Sequence, residues 1–477
     1  MHKRDDEDMF RYKSYTEQTP FLEFLNVPHD RLPLKIPKVN GQVTLDTLVH
    51  VANTMAKSMR DLCECLLLYL HPPRLRRSLI LHIYFANQDL LVFKSTGSQS
   101  HGGHIIATDC KPDYVAAFMS DWGGKDTTLW PCIRLVGEKS SQGKKPEDEE
   151  RLGQAMSYLH DLLLARPDLH VAQGLFTSKS DLIFLLGIGG VGIQTFSVGW
   201  GSTELQKLMY AFIYRLYDPG DFADSSYVEM VPNLKESFVT YNVEIAHDNG
   251  MDRNPIMITN LRPIYASNPF GNRTHILSNP DSKVKINSKP LTVLKDQLYQ
   301  VGTRFDEYST LTAVHSPEKV PGVVEAVYYK LIKIPREFCA SREKHRLGLR
   351  QTGKPLTSIT TVAQMLEIVF DILEGNLFLL SIFCVPTASH TQNANTAILL
   401  VLRYLRFERH ILHCDISKGN ILYVEDDLSS SVGSRSGGAN ETVGPEGLPL
   451  CFINYFLGER CVEVLHNWAY TNVTLNQ

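Results

Sequence analysis

The chain has 477 residues, 43% of them apolar and 21% charged, with a formal net charge of -4. That length admits two or three domains, and the composition is that of folded protein. The small net charge gives no electrostatic ground for strong nucleic-acid or membrane binding. No segment reaches the eighteen or so apolar residues that span a bilayer, and nine scattered cysteines predict a reducing compartment, cytoplasmic or nuclear.

Residues 1–75 read mainly as helix: Val43 to Tyr69 carries apolar residues at three-to-four spacing and stops at Pro72-Pro73. From 76 to 235 the pattern is mixed. Strand-like runs at Leu79–Phe85, Leu90–Phe93 and Ile133–Gly137 precede a charged loop, Lys139–Glu150, and a helix, Leu152–Ala165. Strands at His170–Phe176, Asp181–Gly187 and Ile193–Val198 then lead to a helix over Thr203–Leu216, so this region reads as an α/β domain. Within it, Gly187-Ile188-Gly189-Gly190-Val191-Gly192 spells a dinucleotide fingerprint. The β-branched and aromatic residues that follow predict a hairpin between two strands instead of the helix such a site needs. Residues 236–267 read as a linker and 268–477 as a second domain, in which 429–449, with five glycines, reads as a mobile loop.

Phosphoryl transfer needs a carboxylate beside the acceptor hydroxyl, a magnesium ligand close by and a cation on the nucleotide phosphates. In His413-Cys414-Asp415-Ile416-Ser417-Lys418-Gly419-Asn420, Asp415 and Asn420 have the separation of a kinase catalytic loop, between apolar Ile411-Leu412 and strand-like Ile421-Leu422-Tyr423. Upstream, Pro290 to Asp296 is a short β-rich run with Lys295 near its end, and Glu307 follows twelve residues later in a helical segment, Gly302 to Val314. Phe270-Gly271-Asn272-Arg273-Thr274 has one glycine where a phosphate loop has three, and reads equally as a simple turn.

On these residues the stretch from about Asn268 to Glu425 resembles the fungal-type protein kinases, where Ser stands two places after the Asp in place of the usual Lys. The resemblance implies ATP-dependent transfer of phosphate to Ser or Thr hydroxyls of a protein substrate. Asp415 is then the proton acceptor, Asn420 a magnesium ligand, Lys295 the cation on the phosphates, Glu307 its ion-pair partner and Gly271 part of the phosphate loop; ATP and Mg are the implied cofactors. His345 to Pro355 is similar to the hinge between lobes, and Ile359 to Gly375 to the helix before the catalytic loop.

Three departures bear on activity. Cys414 replaces the usual Arg; no Asp-Phe-Gly follows Asn420, with Asp426 and Asp427 too early to serve; and Asn376 to Val401 reads as an insert. The implied C-lobe is therefore incomplete, which leaves a non-catalytic pseudokinase or interaction scaffold as the alternative. The region upstream in this family looks like the restriction-endonuclease fold, with Asp113 in Pro112-Asp113, then Glu138 and Lys139, then Gln154 and Tyr158 on a helix. Adjacent strand residues face opposite ways, so Glu138 and Lys139 cannot share one metal unless the strand bulges. A fold kept for packing or binding is the expectation, with a metal-dependent nuclease as a third reading. The architecture implied is α+β and multidomain: a restriction-endonuclease-like α/β domain followed by a protein-kinase-like domain.

Overall fold

A computed structural model describes residues 12–15, 49–50, 52–57, 90–96, 99–105, 110–122, 128–140, 145–200, 202, 204–245, 255–302, 307–316, 324–332, 334, 341–350, 354–355, 421–423 and 451–453. They form a mixed α/β structure, mostly sheet. The chain divides into two compact units, one of residues 1–279, 295–301 and 331–346, the other of 280–294, 302–330 and 347–477.

The first unit opens on a seven-stranded sheet. Its strands are β1 (Tyr12–Tyr15), β2 (Leu91–Ser95), β3 (Tyr114–Phe118), β4 (Leu135–Lys139), β5 (Val171–Thr177), β6 (Asp181–Ile188) and β7 (Gly192–Gly199), in spatial order β1-β7-β6-β5-β4-β3-β2. β4 runs parallel to β5, and the reversal this demands is made by helix α1 (Lys145–Ala165). Helix α2 (Glu204–Tyr217) follows β7. Alternate residues of the strands feed two cores. Leu182, Phe184, Leu186 and Phe196 join Leu208 and Phe212 of α2, while Val136, Ala172, Leu185 and Ile193 join Leu159, Leu162 and Leu163 of α1. Covered on both faces, β5 is buried throughout, and so is the apolar run of β3 that the sequence pattern left unassigned.

Gly189, Gly190 and Val191 form the turn between antiparallel β6 and β7, with Gly190 at φ +75°, as the hairpin reading expects. Helix α1 starts earlier than expected, so Lys145 to Glu150 is its first turns and not a loop. Glu147 and Asp148 sit there favourably against the positive end of the helix.

Residues 236–267, expected as a linker, carry two strands, β9 (Phe238–Ile245) and β10 (Ile256–Ala266). With β8 (Tyr227–Asn233), β11 (Thr274–Ser278), β14 (Val293–Gln300), β15 (Ala326–Ile332) and β16 (Arg342–Leu349) they form a second sheet in the order β15-β16-β14-β11-β10-β9-β8. In β9 the alternation is plain: Val239, Tyr241, Val243 and Ile245 are buried and their neighbours are not. β10 breaks register twice, between Ile258 and Leu261 and between Pro263 and Tyr265, with Asn260 at φ 55°.

In the second unit are the two-residue strands β12 (Lys285–Ile286) and β13 (Lys289–Pro290), helix α3 (Glu307–Val314) and strand β17 (Lys354–Pro355). Strands β18 (Ile421–Tyr423) and β19 (Cys451–Ile453) also belong to it, and β17-β18-β19 is an antiparallel sheet. Glu325 receives Lys289 and, at 3.3 Å, Arg350, while Tyr308 and Tyr329 stack with ring centroids 4.6 Å apart. The segment His345 to Pro355, expected as a hinge, comprises the end of β16 and, at 354–355, β17, with 351–353 outside the described residues. The expected strand Leu79–Phe85, the helix Ile359–Gly375, the insert 376–401 and the loop 429–449 lie outside the described residues. No helix among the described residues is long and apolar enough to cross a membrane.

Candidate functional site

Register brings the first pair of acidic side chains together. Tyr114 of β3 pairs with Gly137 of β4, so Asp113 and Glu138, one residue further on each strand, stand opposite one another. The Tyr114 ring lies across Gly137, where an added Cβ would meet ring carbon Cε2 at 2.0 Å, and its hydroxyl donates to the Leu175 carbonyl at 3.0 Å. Only a residue without a side chain leaves that path open, and it fixes β4 next to Glu138.

Glu138 is 2% exposed. Its Oε1 accepts from Arg151 of α1 at 3.0 Å, and Arg151 is 3.8 Å from the Asp113 carboxylate. Arg151 also donates to the Lys139 carbonyl at 3.1 Å, and the Lys139 amide donates to Asp113 at 3.0 Å. The other Glu138 oxygen, Oε2, is buried and meets no donor among the described residues. Burial first and Asp113 second raise the Glu138 carboxyl to about 7. Protonation of Glu138 relieves both effects.

β4 passes through Lys139 with no register shift, so Lys139 points away from Glu138 and does not join the pair. The cation comes from Arg151, on the same helix as Gln154 and Tyr158. Gln154 donates to the Tyr158 hydroxyl, which donates to the Lys111 carbonyl at 3.1 Å; the two hold the strand entry beside Asp113. The signal for Arg151 was its helical spacing from Gln154 and Tyr158, three and seven residues, which puts all three on one face. Among the described residues no group of three or more His, Cys, Asp or Glu is arranged to hold a metal ion.

A second charged cluster is closed. Arg346 grips both oxygens of Asp296 at 2.7 Å and reaches Asp224 at 2.9 Å. Lys344 bridges Asp224 at 2.7 Å and Asp296 at 2.9 Å, and the Tyr227 hydroxyl donates to Asp296 at 2.9 Å. Burial alone would raise both carboxyls, but the two cations hold them below the usual carboxylate range. Two positive and two negative charges, mutually satisfied and dry, make this a structural knot.

The residues expected to carry phosphoryl transfer fall as follows. Lys295 is on β14, fully buried, on the opposite face of the strand from Asp296. Glu307 is the first residue of α3 and is buried. Gly271 lies in the turn between β10 and β11, where its amide donates to the Asn268 carbonyl at 3.3 Å. Asp415 and Asn420 lie outside the described residues. No protein-family model matches the chain, and no curated protein matches it either.

Proposed function

We propose that the chain is a protein-kinase-like protein that binds ATP and has weak or no phosphoryl transfer. What supports the reading is the order of elements around the sequence motifs. Setting aside the two-residue strands, Lys295 is on the third strand after residue 255, the helix that follows opens on Glu307, and two strands come next. Kinases carry the phosphate-binding lysine on their third strand and its glutamate on the following helix.

The single observation that carries the conclusion is the hairpin after the catalytic-loop motif. Ile421 pairs with Ile453 and Tyr423 with Cys451, and Asn420 directly precedes one strand as Asn454 directly follows the other. Asn454-Tyr455-Phe456 therefore stands in sequence where Asp-Phe-Gly is sought in a kinase. With amides at both positions the donor set lacks the carboxylate charge that magnesium uses, so Asp415 would act beside a weakly held metal.

The test is a thermal-shift titration of the full chain with ATP and magnesium. Stabilisation that grows with nucleotide is expected, at about 2.7 kcal/mol for a hundredfold excess over Kd. Asn454→Asp should tighten the response and bring measurable transfer that Asp415→Asn abolishes; no shift at any nucleotide concentration refutes the reading.

The Asp113–Glu138 pair supports a second reading, metal-dependent phosphodiester cleavage, because two carboxylates converge at strand ends with an arginine in place of the expected lysine. Two protein ligands are few for such a site. Cleavage of DNA or RNA dependent on Mn or Mg, and lost in Glu138→Gln, would favour it.

A further inference from the structure

The turn between β10 and β11 carries Gly271, which the kinase resemblance implies as part of the phosphate loop, and it is fastened from beneath. Arg273, 5% exposed, donates to the carbonyls of Leu163 at 2.8 Å, Arg166 at 2.6 Å and Leu169. These acceptors belong to the last turn of α1 and the chain just beyond it, where helix carbonyls lack intrahelical partners and the dipole is negative. His275 adds a bond from Nε2 to the Leu164 carbonyl at 3.0 Å.

The glycines of the β6–β7 turn make room for this arginine. A Cβ on Gly189 would stand 3.0 Å from Arg273 Nη1 and 3.3 Å from its Cδ. The next amide, Gly190, donates to the Pro269 carbonyl at 2.7 Å. Phe270 packs on the α1 core with its ring 5.9 Å from His160, and Arg342 donates to the Asn272 side chain. Residues 269, 270, 272, 273 and 275 are thus each tied to a neighbouring element, leaving Gly271 between them.

We infer that Arg273 is a positioning residue that holds the β10–β11 turn on the end of α1, so that the N-terminal sheet sets the geometry with which this turn meets nucleotide phosphate. The inference rests on the proposed nucleotide reading. It gives the Gly-rich run of the β6–β7 hairpin a purpose: it is shaped to seat a guanidinium, and it affects nucleotide affinity without touching nucleotide. Loosening the turn lowers the fraction of molecules in the binding-competent form and weakens apparent affinity by that fraction.

The experiment uses the full chain and two independent variants. Arg273→Ala removes the clamp, whereas Gly189→Ala keeps the arginine and displaces it by one methyl group. Hydrogen exchange is read over residues 268–275, with the β5–β6 pair as an internal control for an intact fold, and each protein is titrated with ATP and magnesium by thermal shift. Faster exchange in the turn and a rise of about tenfold or more in apparent Kd are expected for both variants, with the control unchanged. Arg273→Lys should fall between, since an ammonium restores charge but not the fork that reaches three carbonyls. If the unaltered chain responds to nucleotide and the loosened variants respond equally, Arg273 is only a helix cap and the inference is overturned while the nucleotide reading stands. If the unaltered chain shows no response, both are overturned.

Discussion

Arg346 and Lys344 face the same way because they are two positions apart on β16, and both meet acids brought from 48 to 122 positions away in sequence. Read along the chain, Asp224, Asp296, Lys344 and Arg346 look like ordinary surface charges, since nothing local marks them as partners. Burial of four charges is tolerable only while all four remain. Arg346→Met should therefore cost about 3–5 kcal/mol by urea unfolding, because Asp296 and Asp224 are left with Lys344 alone. Adding Asp296→Asn should recover part of that loss by removing the unpaired charge.

Among the elements, the strands whose side chains alternate or run apolar were legible and those bent by bulges were not. β5, β6 and β7 match their expected positions to within a residue or so at each end. β9 also alternates cleanly and could have been found. It was obscured by β10, whose two register breaks scatter the apolar residues and leave a stretch that reads as loosened chain. The start of α1 carries charge and no apolar stripe, and Glu147, Glu149 and Glu150 there are exposed. β4 owes its place to one cross-strand fit, Tyr114 over Gly137. Gly137→Ala should destabilise the chain by about 1–3 kcal/mol through overpacking, and truncating the ring in Gly137→Ala/Tyr114→Leu should relieve some of the strain. Denaturant unfolding of the single and double variants checks this; equal stability of Gly137→Ala and the unaltered chain would refute it.

At the scale of the whole molecule, buried titratable groups set how stability follows pH. Burial lowers His170 and His275 to about 3, His170 with help from Lys344 and His275 from Arg273, so both stay neutral while the unfolded chain takes up two protons below its ordinary histidine range. Stability contributed by these histidines rises with pH up to that range. Glu138 works the other way: raised to about 7, it holds in the folded state a proton that the unfolded chain has released, so its contribution falls as pH rises from the ordinary carboxylate range to about 7. Burial lowers His101 as well, so two protons or more stand against one, and stability should climb by at least about 1.4 kcal/mol per pH unit between about pH 5 and 6. Glu138→Gln should steepen that slope by about 1.4 kcal/mol per pH unit, measured by urea unfolding at the two pH values; an unchanged slope would mean that Glu138 is ionised throughout.

The sequence by itself determined the mixed α/β character, the β5–β6–β7 succession, the glycine hairpin and the spacing of the catalytic-loop motif, because each is written in local periodicity or in residues a few positions apart. Tertiary structure decided that Arg151 and not Lys139 meets Glu138, and that a lone arginine in a one-glycine turn is the cap of a helix more than a hundred residues earlier. Strand register and helix ends create those meetings. A side chain's partner across a sheet or at a helix terminus depends on which backbone groups the fold leaves unsatisfied, and no window of sequence records that.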